Sequence, residues 1–438
     1  MSAIAEPLAT LESIVGAAAV VPWEEAEPRF KSQVAQAVTP ETRIAGVVYP
    51  ETSDALAEVM TCAHHHRWRI LPCGNGSKLH WGGLAEGVML VVSTARLQRL
   101  IDHASGDLTV TAEAGLRLRD LQDTLATAGQ FLAVDPAYPE QATLGGIVAT
   151  ADTGGLRHRY GGIRDMLIGI SFVRSDGKRA KAGGRVVKNV AGYDLMKLMT
   201  GSYGTLGILD QVTFRIYPLP LASRTVLLTG DTDTIAQATA TLLASALTPT
   251  RVELLAAATM AALDLGACIG LLCRFQSIEV GVEKQTEQWL QVGQTLALSG
   301  TSYREAEEQA LWQQLREKID FRPSLSQVTC KIGVVPSSAV AILSQMADTP
   351  LTVGLIHAGS GLGTVQFAAD VSAKQLLELR GLCQSHGGFL MILEAPLLLK
   401  QQLDVWGYPG NALDLMQTIK RQFDPESLLS PHRFVGGM

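Results

Sequence analysis

Three glycine-rich segments between residues 72 and 208 constrain the fold of this chain more than any other feature of its sequence. They read PCGNGSK at 72–78, ATLGGIVAT at 142–150 and GSYGTLGI at 201–208. Glycine accepts positive φ angles and allows close approach of another backbone or a ligand, because it has no Cβ. One such segment is typical of a turn. Three of them predict a long groove lined by backbone, which suits an extended flat ligand with a charged middle.

The first segment lacks the common phosphate-binding motifs. Leu79 stands where the third glycine of G-x-G-x-x-G would be, and the residues that follow, His80 to Gly83, are a poor helix start. A loop ending in Gly-Lys-Ser/Thr is absent too. The remaining pattern is a strand at 69–71, the glycine loop and a strand at 88–92, in which consecutive N–H groups form an anion-binding concavity. An ordinary hairpin is the alternative that these residues leave open.

The composition is that of a globular chain with a large core. Of 438 residues, 47% are hydrophobic and 18% are charged, which argues against extensive disorder. The length predicts about two to three domains. The net charge of −6, without a basic run, argues against a nucleic-acid partner. The six cysteines contain no C-x-x-C pair, so we expect no iron–sulfur cluster or zinc site in this chain, and scattered thiols are typical of a reducing cytosol.

One segment, 254–272, has the apolar character of a membrane span. Asp264 lies within it, and a carboxylate at mid-bilayer costs about 2.5–3.5 kcal/mol. We therefore expect a helix end, a turn and a buried strand at 268–275. The opening residues carry Glu6 and Glu12 before an apolar stretch, the opposite of the charge that a secretion signal needs. We expect a cytoplasmic protein without direct membrane insertion, whose association with any membrane would come through partners.

The chain divides into regions that differ in glycine content and in the length of the expected helices. Residues 44–220 combine short apolar strands, short helices and dense glycine. A helix is expected after Ser53, where apolar residues recur at helical spacing. The run HHH at 64–66 would be its solvated end, because neighbouring helical side chains point about 100° apart and cannot share one metal ion. Pro218 and Pro220 predict a domain boundary, since proline cannot donate to a strand ladder.

Residues 221–395 carry less glycine and longer helices. A helix at 303–319 would open with a capping box that begins at Ser302. The strand candidates predict an antiparallel sheet backed by helices, and they lie at 328–335, 352–357 and 388–393. A last helix at 412–423, capped by Asn411 and stopped by the Asp-Pro that follows it, precedes a tail punctuated by proline and glycine.

The sequence VKNVAGYDL precedes the third glycine segment. With it, the three segments resemble the FAD-binding domain of the vanillyl-alcohol oxidase / p-cresol methylhydroxylase (PCMH-type) flavoproteins. The resemblance covers residues 38–218 and rests on the order of the segments, which is the order found in that family. The C-terminal sequences RQFDP and RFVGG are similar to those of the FAD-binding E subunit of glycolate oxidase (glycolate dehydrogenase). The resemblance implies an α+β fold, with a two-part PCMH-type FAD-binding domain and an α+β cap domain that contains an antiparallel sheet. Its parts would be an N-terminal helical segment (1–37), the FAD-binding domain (38–218), the cap or substrate domain (221–395), and a C-terminal helix and tail that return to the FAD-binding domain (396–438).

The resemblance also implies that FAD is the cofactor. The loop 74–77 would hold the pyrophosphate, and residues 143–146 would line the flavin and the diphosphate. Gly76 stands where members with covalent FAD carry a histidine, so we expect a non-covalent, dissociable FAD. His158 and Arg159 are expected beside the flavin, where a cation would stabilise the reduced ring. The expected cofactor-binding residues are Pro72, Cys73, Gly74, Asn75, Gly76, Ser77, Lys78, Thr143, Leu144, Gly145, Gly146, Ala149, Thr150, Gly154, His158, Arg159, Tyr160, Gly161, Asn189, Gly207 and Ile208.

The reaction that this resemblance implies is the oxidation of a 2-hydroxy acid. It requires a cation for the carboxylate, a base for the hydroxyl proton and a hydride acceptor, flavin N5. His357, at the end of an apolar strand, is the candidate base because an imidazole titrates near neutral pH, and a core histidine is the alternative. Lys331 and Arg322 are candidates to hold the carboxylate, and for the lysine a place on an edge strand is the alternative. Glu394 ends a nearly uncharged strand, which places it either beside a cation or close to a site.

The resemblance gives the chain a specific place among related subunits. The catalytic D subunits and D-2-hydroxyacid dehydrogenases carry two histidines seven residues apart and then Glu-His. Here Thr364 follows His357 at that spacing and Ala395 follows Glu394, so we expect no metal site. The expected function is that of an FAD-dependent oxidoreductase subunit that oxidises glycolate or another 2-hydroxy acid. D-type flavoprotein and iron–sulfur subunits would be its partners, with the iron–sulfur subunit receiving the electrons. The alternatives are a self-sufficient D-lactate or 2-hydroxy-acid dehydrogenase and a non-catalytic subunit that holds FAD as a structural or relay group.

Overall fold

The computed structural model describes residues 2–184, 193–320 and 327–438. The chain forms two compact units. The first unit consists of Met1–Thr153, Gly162–Leu219 and Gly410–Met438, and the second consists of Gly154–Gly161 and Pro220–Pro409. The short segment Gly154–Gly161 therefore belongs to the second unit, although its neighbours in sequence belong to the first.

A four-stranded sheet in the first unit carries the first glycine segment. Its strands in spatial order are β1 (Val20–Pro22), β2 (Gly46–Val48), β4 (Leu90–Ser93) and β3 (Ile70–Cys73). Strands β2 and β3 are parallel to β4, whereas β1 is antiparallel to β2. Because β3 and β4 run in the same direction, the glycine loop between them is a crossover connection, and the hairpin alternative is wrong.

Helix α3 (Ser53–His66) shows why this sequence folds as it does beside the sheet. Its N-cap Thr52 accepts a hydrogen bond from the backbone N–H of Ala55. Its apolar residues, fully buried, pack into one core with Ile70 of β3 and Leu90 of β4. The helix expected after Ser53 is thus confirmed. At its end His65 and His66 are exposed, as the sequence predicted. The other helices of this part are α1 (Ser2–Val15) and α2 (Pro28–Ala35).

A second, five-stranded sheet in the first unit is antiparallel throughout. Its strands in spatial order are β5 (Leu100–Ala104), β6 (Thr109–Glu113), β10 (Ile208–Arg215), β8 (Leu167–Val173) and β9 (Arg179–Gly183). The short strands β7 (Gln130–Phe131) and β11 (Tyr217–Pro218) form a separate pair. The remaining helices of the unit are α4 (Leu118–Ala126), α5 (Leu144–Thr150), α7 (Ile163–Met166), α8 (Leu195–Met199) and α16 (Leu413–Phe423).

The described part of the second unit contains an eight-stranded sheet in which every neighbouring pair is antiparallel. The spatial order is β15 (Ser299–Arg304), β12 (Ala222–Gly230), β14 (Ile269–Ser277), β13 (Arg251–Leu255), β17 (Leu351–His357), β18 (Leu362–Phe367), β16 (Val328–Gly333) and β19 (Phe389–Glu394). The helices are α6 (Arg157–Tyr160), α9 (Thr232–Ala244), α10 (Ala257–Ala262), α11 (Glu279–Thr295), α12 (Glu305–Ile319), α13 (Ala339–Gln345), α14 (Ala373–Ser385) and α15 (Leu397–Gln402). The predicted antiparallel sheet backed by helices is confirmed.

The apolar segment 254–272 is divided among three elements, the end of β13, helix α10 and the start of β14. Leu271 and Leu272 of β14 are fully buried, which agrees with the expected buried strand. Asp264 has a positive φ of 57° in the turn between helix and strand. Across residues 2–184, 193–320 and 327–438, the structure contains no helix with both the length and the apolar character that crossing a bilayer requires.

Two predicted helix caps are wrong. Helix α12 begins at Glu305 because Ser302 and Tyr303 pair with β12 as part of strand β15, so they are not available for a capping box. Its N-cap residue, Arg304, makes no side-chain capping bond. Helix α16 begins at Leu413, and its N-cap residue is Ala412 rather than Asn411. In the first case pairing with a sheet edge overrides a local capping signal.

Candidate functional site

Parts of all three glycine segments line one groove in the first unit. The groove encloses about 760 Å³ of empty space, including its open mouth. The sequence therefore predicted correctly that these segments come together. The lining residues are Pro72, Cys73, Gly74, Asn75, Gly76, Ser77, Lys78, Leu79, Thr94, Ala142, Thr143, Gly145, Gly146, Ala149, Thr150, Ser202, Tyr203, Gly204, Gly207, Ile208, Leu209 and Arg433.

The loop after β3 is held in shape by neighbouring side chains. The buried hydroxyl of Ser93, on β4, donates to the carbonyl oxygen of Gly74 at 2.9 Å. The side-chain amide of Asn75 donates to the carbonyl oxygen of Gln141 at 3.1 Å. Gly76 has a φ of +79°, a conformation that residues with a Cβ rarely adopt. The loop is therefore held at Gly74 and Asn75, and the positive φ at position 76 favours glycine.

The first and second segments touch through glycine. A Cβ on Gly74 would lie 2.1 Å from the Thr143 hydroxyl oxygen, and a Cβ on Gly145 would lie 2.8 Å from the Cβ of Ala114. The backbone N–H of Gly145 also donates to the carbonyl oxygen of Ala114 at 2.7 Å. Packing between the two segments requires glycine at position 74, and packing against Ala114, which follows β6, requires glycine at position 145. The hydroxyl of Thr143 in turn accepts from the backbone N–H of Gly146 at 3.3 Å.

The third segment contacts both of the other two. The backbone N–H of Tyr203 donates to the carbonyl oxygen of Ala149 at 2.8 Å. Gly204 has a φ of +72°, and a Cβ there would lie 2.7 Å from Cγ of Pro72. Burial raises the pKa of the Tyr203 phenol, so this hydroxyl remains protonated. All three segments therefore meet through backbone contacts or glycine.

Two buried cations flank the groove. The Lys78 ammonium lies 2.6 Å from the Asp152 carboxylate and 5.4 Å from the centroid of the Trp81 ring. The Arg433 guanidinium is only 4% exposed, and it donates to the carbonyl oxygens of Leu79 and Trp81 at 2.7 and 3.1 Å. Burial lowers the pKa of Arg433 to about 10, against opposing influences from Tyr203 and Cys73. Arg433 remains cationic at neutral pH, so the groove offers positive charge to an anion.

These residues fit FAD. Its diphosphate requires N–H donors and positive charge, which a glycine loop and buried cations supply. Gly146 provides the clearest test of fit. Among the described residues, apart from its chain neighbours and the backbone of its own helix, only the Thr143 hydroxyl oxygen lies within 4 Å of an added Cβ, at 3.0 Å. A larger side chain at position 146 would therefore extend into the empty groove. The glycines of the wall leave room for a flat, extended ligand.

Most of the cofactor-binding residues expected from the three segments line this groove. Leu144 does not, because its side chain is fully buried in the core. Asn189 and the candidate carboxylate-binding residue Arg322 lie outside the described residues. The other expected contacts belong to the second unit rather than the first: Gly154, His158, Arg159, Tyr160 and Gly161. For all of these residues, contact with FAD stays a prediction.

Sequence reasoning missed several residues of the groove. Most of them adjoin the glycine segments, and their position next to a segment was the available signal: Leu79, Ala142, Ser202, Tyr203, Gly204 and Leu209. Thr94 follows β4 and has no signal of its own. Arg433 opens the tail sequence RFVGG, where an arginine between apolar residues could have been recognised as a buried cation.

The second unit brings together a histidine and a glutamate. His357 on β17 lies directly opposite Glu253 on β13, and its Nδ1 is 2.5 Å from Oε2 of that carboxylate. Glu253 is 2% exposed. Burial raises the pKa of Glu253, but the charge and hydrogen bond of His357, helped by Arg251 and His158, outweigh it and hold the pKa below its ordinary value. This pairing agrees with a catalytic base and equally with the alternative of a satisfied core histidine, so a catalytic role for His357 stays a prediction.

A second imidazole lies beside this pair. A Cβ on Gly359, in the turn after β17, would lie 2.5 Å from Nδ1 of His158. Burial lowers the pKa of His158, Glu253 raises it, and His357 and Arg159 lower it, with a net downward shift. His158 was expected beside a flavin, and the structure places it with Glu253 and His357. Glu253 itself was missed, because one glutamate in the sequence RVELL carries no motif.

The remaining candidates in the second unit lie on interior or edge strands. Lys331 is on β16, which pairs with β18 on one side and β19 on the other, so the edge-strand alternative is wrong. Glu394 is 7% exposed at the end of β19 and accepts a hydrogen bond from the Thr329 hydroxyl at 3.3 Å. A catalytic role for either residue stays a prediction.

Comparisons with known proteins agree with the groove. Residues 44–183 match the family model described as an FAD binding domain. The chain is 27% identical over 423 residues to glycolate oxidase subunit GlcD of Bacillus subtilis, covering 88% of this chain and 87% of the relative. It is 37% identical over 172 residues to glycolate oxidase subunit GlcE of Escherichia coli, which covers 39% of this chain and 49% of that protein. It is also 25% identical over 427 residues to a mitochondrial cytochrome-type D-lactate dehydrogenase of Arabidopsis thaliana, covering 89% and 73%.

Solved structures share the fold over nearly the whole chain. A structure of p-cresol methylhydroxylase with substrate bound has a TM-score of 0.77 at 14% identity, covering 98% of this chain and 96% of that chain. A 4-ethylphenol oxidase from Gulosibacter chungangensis has a TM-score of 0.75 at 13% identity, with coverage of 98% and 96%. The fold and the groove define an FAD-binding flavoprotein of the α+β class. The chain shares its fold with PCMH-type flavoproteins and carries an FAD binding domain at residues 44–183, as its glycine segments indicated.

Proposed function

We propose that this chain is an FAD-dependent oxidoreductase subunit that takes part in the oxidation of glycolate or a similar small 2-hydroxy acid. The observation that carries the proposal is the groove that the three glycine segments line together with the buried cations Lys78 and Arg433. Relatives named as glycolate oxidase subunits and as D-lactate dehydrogenases support the substrate class. We further propose that the electrons pass to an iron–sulfur partner subunit.

The residues of the groove would bind and orient the cofactor. The loop at Gly74 and Gly76 presents backbone N–H groups to the diphosphate, and Lys78 and Arg433 balance its negative charge. Bound FAD supplies an acceptor for the two electrons and the hydrogen that leave Cα of the hydroxy acid. Because Gly76 stands where members with covalent FAD carry a histidine, we propose that the FAD is dissociable.

The second unit would supply the proton chemistry. His357 is the residue that we propose as the base for the substrate hydroxyl, since its Nδ1 is held by Glu253 and an imidazole can accept a proton on the other nitrogen. Lys331, which carries a positive charge, is the proposed partner of the substrate carboxylate. Glu394, at the end of a strand in the same sheet, is a further candidate in the catalytic set.

The cysteines of the chain support a separate electron-carrying partner. Cys273, Cys330 and Cys383 are buried, and burial raises the pKa of each of these thiols. A cluster needs several thiolates on short sequence spacings, and the sequence has no C-x-x-C pair. Electrons collected at a flavin in this chain would therefore have to leave through clusters held elsewhere.

One experiment tests the proposal and separates it from the alternatives. The purified chain is examined for the visible flavin absorption, and glycolate or D-lactate is then added without oxygen. We expect no bleaching of the isolated chain and bleaching after co-expression with D-type flavoprotein and iron–sulfur subunits. Bleaching of the isolated chain would indicate a self-sufficient dehydrogenase. A flavin that neither acid reduces in the assembled complex would contradict the proposed substrate class, and it would favour a subunit that holds FAD as a structural group.

A further inference from the structure

The contact between Glu253 and His357 is built by the sheet itself. The two residues occupy directly opposed positions of β13 and β17, so neighbouring strands bring their side chains to the same face. The carboxylate oxygen Oε2 lies 2.5 Å from Nδ1, and the side chains are 2% and 12% exposed. A hydrogen bond this short between a carboxylate and an imidazole is charge-assisted.

The other carboxylate oxygen is enclosed by backbone. A Cβ on Gly155 would lie 1.7 Å from Oε1 of Glu253 and 3.5 Å from Nδ1 of His357. The segment Gly154–Gly161 thus lies against both groups, and only a glycine can occupy position 155 at this distance. The same segment carries His158, which contacts Gly359 in the turn that follows His357. Three separate parts of the second unit therefore converge on one carboxylate.

We propose that Glu253 is a positioning residue that keeps the proton of His357 on Nδ1 and leaves Nε2 to act as the base. This inference rests on the proposed function, because it assigns the geometry of the base in that reaction. The buried carboxylate accepts the Nδ1–H bond, which selects one imidazole tautomer and fixes the orientation of the ring. An imidazole without such a partner would exchange between tautomers and present a usable Nε2 for only part of the time.

The proton balance of the step is simple. In the proposed reaction the O–H bond of the 2-hydroxy acid would break, and its proton would form a new bond to Nε2 of His357. Bound FAD would supply the acceptor for the hydrogen and the electron pair that leave Cα. The substrate becomes a 2-oxo acid, and His357 becomes an imidazolium. Glu253 stabilises that imidazolium without taking the proton itself. The proton passes to water after the oxo acid has left.

The charges around the carboxylate suit this role. Arg251, on the same strand, and His158, on α6, both favour the ionised form of Glu253. Arg159 opposes a charge on His158, and so does burial of that imidazole. The neighbouring thiol of Cys273, on β14, has a raised pKa, to which Glu253 contributes. The surroundings thus keep Glu253 charged and its neighbouring thiol protonated.

The test replaces the carboxylate by an amide in Glu253→Gln. The ¹⁵N signals of the histidine side chains report which nitrogen carries the proton, and the signal of His357 is assigned from its loss in His357→Gln. We expect a protonated Nδ1 in the unsubstituted chain and a shift of the proton toward Nε2 in Glu253→Gln. The anaerobic rate of flavin reduction by glycolate or D-lactate, in the assembled complex, should fall by on the order of 100- to 10,000-fold, with FAD binding unchanged.

Glu308→Gln is the matched control. Glu308 is also a buried glutamate of the second unit, and it accepts from Ser223, Thr225 and Arg274. This variant should leave the tautomer of His357 and the reduction rate unchanged. An unchanged tautomer in Glu253→Gln would overturn the inference, and so would a shifted tautomer with an unchanged rate. If the unsubstituted complex is not reduced by either acid, the proposed function fails, and the tautomer measurement still decides whether Glu253 positions His357.

Discussion

The buried ammonium of Lys420 donates to the carboxylate of Asp424, with 2.5 Å between Nζ and Oδ2. The same ammonium donates to the carbonyl oxygens of Thr205 and Leu429 at 2.9 Å each. The Asp424 carboxylate accepts hydrogen bonds from the backbone N–H groups of Leu428 and Leu429. Thr205 belongs to the third glycine segment, which lines the groove. A single cation therefore ties the C-terminal helix and tail to a wall of the cofactor site.

Lys420→Met tests this tie. Removing one partner of a buried ion pair leaves a charge without compensation and costs about 3–5 kcal/mol of unfolding free energy. For a unit of this size that corresponds to a fall in Tm of about 10 °C. Because Thr205 and Leu429 also lose their donor, FAD should dissociate faster from the variant. Thermal unfolding and the release of flavin fluorescence measure the two effects.

An exposed ion pair provides the control for Lys420. Lys374 and Glu378 form an (i, i+4) pair whose side chains are 85% and 63% exposed. Lys374→Met should change the unfolding free energy by less than about 1 kcal/mol, since exposed pairs contribute little. Equal losses of Tm in the two variants would contradict the assigned role of Lys420.

Gly146→Val tests the groove directly. The open space beyond position 146 is where we place the cofactor, so a branched side chain there should weaken FAD binding by on the order of 100-fold or more. The chain should then purify without visible flavin absorption, although circular dichroism shows it to be folded. Gly106→Ala is the control, because no atom lies within 4 Å of an added Cβ at that position. A folded Gly146→Val chain with a full complement of FAD would refute the placement.

The sequence predicted the groove because the structural constraints that require glycine act locally and are visible as glycine-rich segments. Gly74 and Gly76 mark places where a Cβ would collide or φ is positive, and these constraints act on single residues. No local sequence pattern marks the Glu253–His357 pair, because the two residues meet only through the register of two strands that are distant in sequence. A register is set by the whole sheet rather than by a motif.

The position of His158 shows the same limit. Its sequence neighbours at 142–150 line the groove of the first unit, and nothing in the intervening residues marks a change of unit. The structure assigns Gly154–Gly161 to the second unit, where His158 shares the surroundings of Glu253. Tertiary packing rather than local sequence decides this placement. The strands at 328–335 and 352–357, in contrast, were visible as apolar runs and needed no such information.

Arg433→Met tests the cation contributed by the tail. Loss of the guanidinium removes positive charge beside the proposed position of the diphosphate, and it removes the donors to Leu79 and Trp81. FAD affinity should fall by on the order of 10- to 100-fold, as titration of the apoprotein would show. Arg421→Met, which removes an exposed arginine of the same C-terminal part, should bind FAD like the unsubstituted chain. An affinity unchanged in Arg433→Met would show that Lys78 and the backbone N–H groups suffice.

The second unit should lose stability as the pH falls, in two steps with distinct causes. His158 has a folded-state pKa below its ordinary value of 6.5, so the unfolded chain binds more protons between these two values and stability decreases on acidification through that window. Glu253 has a folded-state pKa below 4.5, so its contribution to stability is present above pH 4.5 and is lost as the pH falls through the folded-state pKa.

His158→Gln should remove the first step and keep the second, whereas Glu253→Gln should remove the second. Urea unfolding monitored by tryptophan fluorescence at decreasing pH measures both steps, with His65→Gln, a change at an exposed histidine of the first unit, as the control. A His158→Gln variant that keeps the full loss of stability below pH 6.5 would show that the burial of this imidazole is not its cause.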